Sequence, residues 1–227
     1  MCGRYTYIVS YDDLRNYLQA SFQIGDISDA IVVPRYNVAP GQKVLSIIND
    51  GKNNRAGLLK WGYVPTFATN ENIGNHLINA KAETVTEKPA FASSFKNRRC
   101  LILADGFYEW RRDGRQRIPM RFVLKNKSLF PMAGLWNTFI RPDGSKLHTC
   151  IILTTEANSI VANVHDRMPV ILSLKDAQTW LNPLPSNKDQ LTAMLKPYSA
   201  DAMIAYQVSS LINKASNDSP DCIKPIF

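Results

Sequence analysis

The 227-residue chain predicts an α+β domain with a mainly antiparallel, curled, barrel-like sheet and flanking helices. Three observations carry that prediction. Short apolar runs recur along the chain, broken by turn signals at Asn49-Asp50-Gly51, Asp113-Gly114 and Pro142-Asp143-Gly144. Helical spacing is confined to separate stretches between groups of those runs, as at Leu14, Tyr17, Leu18 and Phe22. Apolar content of 45% with 20% charged residues suits a globular domain with a substantial core.

In chain order, residues 3–8 read as a strand entering the core. Ser10, with Asp13 three residues on, caps the helix that follows. Residues 24–42 carry Gly25, Pro34, Pro40 and Gly41 and read as a long loop. Strands follow at 44–48 and 57–61. Residues 62–78 lack periodicity and read as a second long loop, a kind that often carries function. Two short helical stretches fall between 80 and 97. Strands at 100–104, 106–111, 117–124, 130–139 and 146–154 form the densest β region. Residues 157–164 read as a helix. Ser173 and Asp176 open another, containing Ala177, Trp180 and Leu181, and residues 188–195 add one more. Residues 204–208 are a late strand. With no internal repeat, the chain reads as one domain over 1–227.

No apolar run reaches the roughly 20 residues of a membrane-spanning helix, and no basic-then-apolar leader opens the chain. The expected compartment is the cytoplasm and no membrane partner is expected. Cys2, Cys100, Cys150 and Cys222 form no C-x-x-C pair, and the three histidines complete no zinc pattern, so neither metal nor cofactor is expected. Cys100 and Cys150 sit in apolar runs as core thiols. A net charge of +8 favours a polyanionic partner, nucleic acid first.

Five constellations carry chemistry. Loss of Met1 would leave Cys2 with a free α-amine beside its thiol. The two groups titrate near ~7.7 and ~8.5 and are partly deprotonated at neutral pH. Such a 1,2-aminothiol attacks an aldehyde as an amine and then closes a thiazolidine with its sulfur. Glu109 stands between aromatics in Tyr108-Glu109-Trp110, where burial would suit it to proton transfer. The alternative is a solvent-facing strand carboxylate. His165 follows a helix and precedes Met168-Pro169, placed either for proton exchange or for a loop hydrogen bond. Asn79 could orient a polar group or cap a helix, and Lys81 could meet a phosphate or solvent. Arg4, Arg35, Trp61, Tyr63, Phe67, Arg98, Arg99, Arg111, Arg112 and Arg115 form a scatter of cations and aromatics that would suit single-stranded nucleic acid, unless Trp61 and Tyr63 are core and the arginines are spread around the surface.

Taken in order, Met1-Cys2-Gly3-Arg4, Arg35 to Pro40, Trp61-Gly62, Ile78-Asn79-Ala80, Ala82-Glu83-Thr84, Ala104-Asp105-Gly106, Glu109-Trp110 and His165 to Pro169 resemble the SRAP family of abasic-site-processing proteins, the SOS-response-associated group. The resemblance covers essentially the whole chain and implies the SRAP fold. It also implies a monomer that binds single-stranded DNA and crosslinks to abasic sites through Cys2. A peptidase-like self-removal of Met1 has been assigned to the family as well. Residue by residue, the resemblance implies that Asn79 orients the Cys2 end and that Glu109 and His165 handle protons. Arg4, Pro40, Trp61, Phe67, Lys81, Arg98, Arg99, Trp110 and Arg111 would then contact DNA. Lys81 departs from the arginine common in its motif and loses the bidentate fork. Pro65-Thr66-Phe67 stands where relatives often carry tryptophan. Two rivals remain at this point, a class II glutamine amidotransferase-like enzyme and a non-covalent single-strand binder.

Overall fold

The computed structural model describes residues 2–183 and 187–226. Its elements begin with β1 (Arg4–Tyr7), α1 (Tyr11–Phe22), β2 (Arg35–Val38), β3 (Lys43–Asn49), β4 (Asn54–Trp61) and β5 (Asn79–Lys81). They continue with α2 (Pro89–Asn97), β6 (Arg99–Ala104), β7 (Gly106–Asp113), β8 (Gln116–Leu124), β9 (Phe130–Ile140) and β10 (Lys146–Glu156). The chain then forms α3 (Ser159–Ala162), β11 (Arg167–Pro169), α4 (Leu174–Leu181), α5 (Lys188–Ala193) and β12 (Met203–Gln207).

Five strands close on themselves. β4, β3, β6 and β9 pair antiparallel in that order, β9 pairs with β10, and β10 returns to β4 in parallel. Closure removes exposed sheet edges. Trp180 of α4 is buried against the barrel wall, its Nε1 donating to the Cys100 carbonyl at 3.0 Å. A side chain at position 134 would strike Ile102 Cδ1 at 2.3 Å, so β9 passes through the crowded wall only as glycine. Cys100 and Cys150 are buried core thiols.

A second sheet, ordered β12-β8-β7-β1-β2, shares one apolar core with the barrel. Tyr5, Phe107 and Phe122 bridge the two, and the phenylalanine rings stack at 5.1 Å. The predicted α+β class with a curled, mainly antiparallel sheet is what the chain forms. Both predicted serine caps are present: Ser10 accepts from Asp13 N and Ser173 from Asp176 N, each at 3.1 Å.

Three short strands differ from the sequence expectation. β2 lies inside the loop predicted at 24–42, β5 sits where Asn79 could have capped a helix, and β11 follows His165. Each is three or four residues long and exists through a distant partner: β1 for β2, β10 for β5 and β11. The helix expected at 157–164 shortens to α3, which Asn158 caps.

Candidate active site

β1 runs antiparallel to β7, with Arg4 opposite Tyr108, and this register carries the chain end toward Glu109. Successive side chains on a strand face opposite ways. Phe107 faces the main core, whereas Tyr108 and Trp110 belong to a second cluster under the C-terminal segment. Glu109 therefore shares the face of Phe107 and is only 3% exposed. Burial pushes its carboxyl up to about 7, and the nearby Asp166 charge adds to the rise. Cys2 is fully buried. Burial drives its thiol far above the usual range, with the Glu109 charge acting in the same direction.

Asn79 joins the chain end to the barrel. Its Nδ2 donates to the Cys2 carbonyl at 2.9 Å. Its Oδ1 is buried and has no partner among the described residues. β5 holds that side chain in place because Ile152 N and Trp61 Nε1 both donate to the Ile78 carbonyl, at 3.2 and 2.9 Å. Gly62 makes the turn after Trp61 at φ +143°, and its Cβ position would lie 2.8 Å from the Gly74 carbonyl. The loop folds back on itself only because both positions are glycine.

His165 follows α3, its amide donating to the Val161 carbonyl at 2.9 Å. Arg167 N donates to His165 Nδ1 at 3.0 Å, and the Asp166 carboxylate lies 2.8 Å from the same nitrogen. A neutral Nδ1 serves only one of them. The backbone donor is fixed and Asp166 is 85% exposed, so Nδ1 is the acceptor and Nε2 carries the proton. Partial burial holds the imidazole below its ordinary 6.5, with the Arg112 charge assisting and Asp166 opposing. A carboxyl that exchanges protons near neutrality thus lies close to the held Cys2, and Asp166 next to His165 acts on that same carboxyl. Met1 lies outside the described residues.

The DNA-contact candidates divide. Phe67 is 63% exposed, Lys81 is exposed, and Pro40, Trp110 and Arg111 are half-buried. Trp110 Nε1 donates to Asn213 Oδ1 at 2.8 Å. The half-buried Arg98 bonds Asn137 Oδ1 and lies over the Trp136 ring at 5.8 Å. Two expectations are corrected. Trp61 is fully buried and packs on Tyr5 at 5.5 Å, so it positions β5 and offers no stacking face. Arg99 is buried and donates to the Phe95, Lys96, Trp180 and Asn182 carbonyls, so it braces α2 and α4 from within. Arg4 is half-buried and donates to Asn37 Oδ1 at 2.7 Å, the Ile212 carbonyl and the Asn213 carbonyl at 3.2 Å through Nη1 and Nη2, which fixes its guanidinium beside the C-terminal segment.

Asn37 was missed as a site-building residue. Fully buried, it accepts from Arg4 and donates to the Ile212, Lys214 and Asn217 carbonyls at 3.2, 3.0 and 2.7 Å. It thereby ties the C-terminal segment to the strand that carries Cys2. An asparagine leading straight into the apolar pair Val38-Ala39 was the available signal. Among the described residues no group of His, Cys, Asp and Glu could hold a metal ion, and no helix is long and apolar enough to cross a membrane.

Residues 1–215 match the family model described as SOS response associated peptidase (SRAP). The chain is 47% identical over 226 residues to abasic site processing protein YoqW of Bacillus subtilis (strain 168), covering 99% of each. It is 27% identical over 228 residues to abasic site processing protein YedK of Escherichia coli (strain K12), covering 100% of each. A crystal structure of a Bacteroides thetaiotaomicron protein shares the fold, with a TM-score of 0.87 at 24% identity and full coverage of both chains. The family model and the relatives therefore agree along the length of the molecule, and this chain belongs to the SOS response associated peptidase (SRAP) family.

Proposed function

We propose that this protein binds single-stranded DNA and couples covalently to abasic sites through Cys2, shielding the strand from cleavage. The observation that carries the reading is the Asn79–Cys2 hydrogen bond, which holds the chain end beside a buried carboxyl poised near pH 7. The relatives' name, abasic site processing protein, points the same way.

The chemistry follows from the groups present. An abasic deoxyribose opens to an aldehyde as the C1′ hydroxyl gives up its proton and the ring oxygen gains one through solvent, and the Nε2–H of His165 can hydrogen-bond that ring oxygen while the proton moves. With Met1 removed, the neutral Cys2 amine attacks C1′ and gives a carbinolamine. Protonated Glu109 donates to the departing hydroxyl, which leaves as water, and an iminium forms. The thiol sulfur then bonds to C1′ while its proton passes to the Glu109 carboxylate. Glu109 is restored, and the net change is aldehyde plus aminothiol to thiazolidine plus water. A thiol with a raised pKa is weakly nucleophilic alone, so this transfer to Glu109 is what makes ring closure feasible. Closure consumes the iminium that would otherwise drive β-elimination and strand breakage. The orphan Oδ1 of Asn79 would accept from the freed α-amine and aim its lone pair. Phe67, Lys81 and Arg111, with Pro40 and Trp110 beside them, would receive the strand. The same residues also suit self-removal of Met1, with the thiol as nucleophile.

The test is a denaturing gel of the purified protein with an abasic single strand and with the intact strand, alongside mass spectrometry of the N-terminus. A heat-stable band with the abasic strand alone, from protein lacking Met1, is expected. No such band from fully processed protein would overturn the reading.

A further inference from the structure

Arginine partners single out one surface. The chain has thirteen arginines, and eight of them bond a carboxylate, a side-chain amide or backbone carbonyls. Among the described residues the other five make no such bond. One is Arg15 on α1, and the other four, Arg111, Arg112, Arg115 and Arg117, all lie on the β7–β8 hairpin. Arg112 stands directly opposite Arg117 in the ladder, so both guanidinium groups project from one face of the hairpin. Like charges in that position destabilise a strand pair. Gly114 turns the chain at φ +56°, and Arg115 sits beside it at the tip. Arg112, Arg115 and Arg117 are all exposed. Asp113 is the one carboxylate between Trp110 and Pro119, and it forms no ion pair among the described residues. A hairpin selected for stability alone would interleave its charges. This one concentrates a single sign where no partner among the described residues answers it.

Its location gives that charge a use. Glu109 and Arg112 share β7 three residues apart, roughly 10 Å along the strand and on opposite faces, so a DNA strand would reach Arg112 by passing the edge of β7 beyond its last pairing with β1, Arg4–Tyr108. The Arg112 charge also bears on His165, as the smallest of the influences on its imidazole. A stacked strand carries one phosphate per roughly 3.4 Å, so the Arg112–Arg117 pair stands about three phosphates from the reacting sugar.

We propose that the β7–β8 hairpin is a phosphate-gripping arm, with Arg112, Arg115 and Arg117 holding the backbone that flanks the reacting sugar on the His165 side. The inference rests on the reading of Cys2 as the group that engages abasic DNA. Guanidinium forks match phosphate oxygens in pairs, which favours a phosphodiester backbone over the carboxylates of an acidic protein. The arm supplies affinity and direction and takes no part in bond making.

The test compares the parent with Arg112→Gln/Arg117→Gln and Arg112→Lys/Arg117→Lys proteins. Affinity for an intact single strand is measured against salt, and crosslinking is measured on a long abasic strand and on a minimal abasic nucleoside phosphate with no flanks. Two lost single-strand phosphate contacts make the salt slope of the Gln protein shallower by about 1.4. The parent's advantage then shrinks about sevenfold between 50 and 200 mM salt. The Lys protein keeps the parent slope. At pH 8, where His165 is neutral with or without the Arg112 charge, crosslinking to the minimal probe is equal in all three, and the Gln protein melts no lower than the parent because a repulsion has been removed. A slope change seen only with duplex-flanked DNA upholds the arm and assigns it the paired flank. Parent slope and parent affinity for the Gln protein on both DNA forms overturn it, and binding of an acidic protein by the same face would then be the occupant left. Failure of the parent to crosslink the long abasic strand sinks the Cys2 reading, while the salt slope on intact DNA still decides the hairpin.

Discussion

Asp105 and Glu109 are four residues apart, both beside β1, and they fill opposite roles. Asp105 receives Thr6 Oγ1 at 2.7 Å and Ile8 N at 3.0 Å on one oxygen, and Arg121 at 2.7 Å on the other. It is an anion matched to a buried cation, and the pair ties β1, β7 and β8 together. Glu109 is as deeply buried as Arg121, but its dominant influence is loss of water, and its proton is held to about 7. The balance between the donors supplied and the water lost at burial, more than the position on a strand, decides whether a carboxylate stays an anion or exchanges a proton near neutrality.

That contrast can be broken at either end. The largest effect belongs to the group that Glu109 serves: Cys2→Ser should lose all heat-stable adduct on a denaturing gel while keeping parent-like affinity for an intact strand. Next, Glu109→Gln should slow adduct formation about 10²–10⁴-fold, the usual worth of a positioned proton donor. The parent's rate should be bell-shaped in pH. It falls on the acid side as the amine, near ~7.7, is protonated, and on the alkaline side as Glu109 passes about 7 and loses its proton. Rapid-quench rates across pH would show whether the Gln protein has lost the alkaline limb, and its retention would remove Glu109 as the acid.

At the other end, Asp105→Ala should destabilise the fold by about 3–5 kcal/mol in urea titrations, because it strands the Arg121 charge. Adduct yield per folded molecule should hold. The smallest effect separates the two carboxylates by sign. The folded carboxyl of Glu109 titrates above its ordinary 4.5, so its burial costs stability as pH rises from about 4.5 and costs it fully above about 7. Glu109→Gln should therefore be more stable than the parent at pH 8, by about 3 kcal/mol, with no gain below pH ~4. Melting at both pH values checks this, and a less stable Gln protein at pH 8 would contradict the burial argument.

The parts of the molecule legible from sequence are those whose cause is local. Ser10 and Ser173 cap helices by bonding three residues ahead, and Asp113-Gly114 turns a hairpin through its own backbone. Those signals survive in any context. β2, β5 and β11 were illegible because their pairing energy comes from strands far along the chain. The site divides the same way. Cys2, Asn79, Glu109 and His165 were legible as reactive types in ordered motifs. Trp61 and Arg99, read as surface contacts, turn inward because each finds carbonyl acceptors that tertiary packing alone supplies.

The sequence by itself determined the α+β class, the turns, the caps and the set of groups able to react, since periodicity and side-chain chemistry act over a few residues. Only the tertiary structure decided that β10 closes a barrel, that Asn79 grips the Cys2 carbonyl, and that Glu109 keeps its proton near neutrality. It alone set Arg112 opposite Arg117, with no ion-pair partner for either among the described residues. Burial, long-range pairing and electric fields are properties of neighbours in space, and chain order does not list those neighbours.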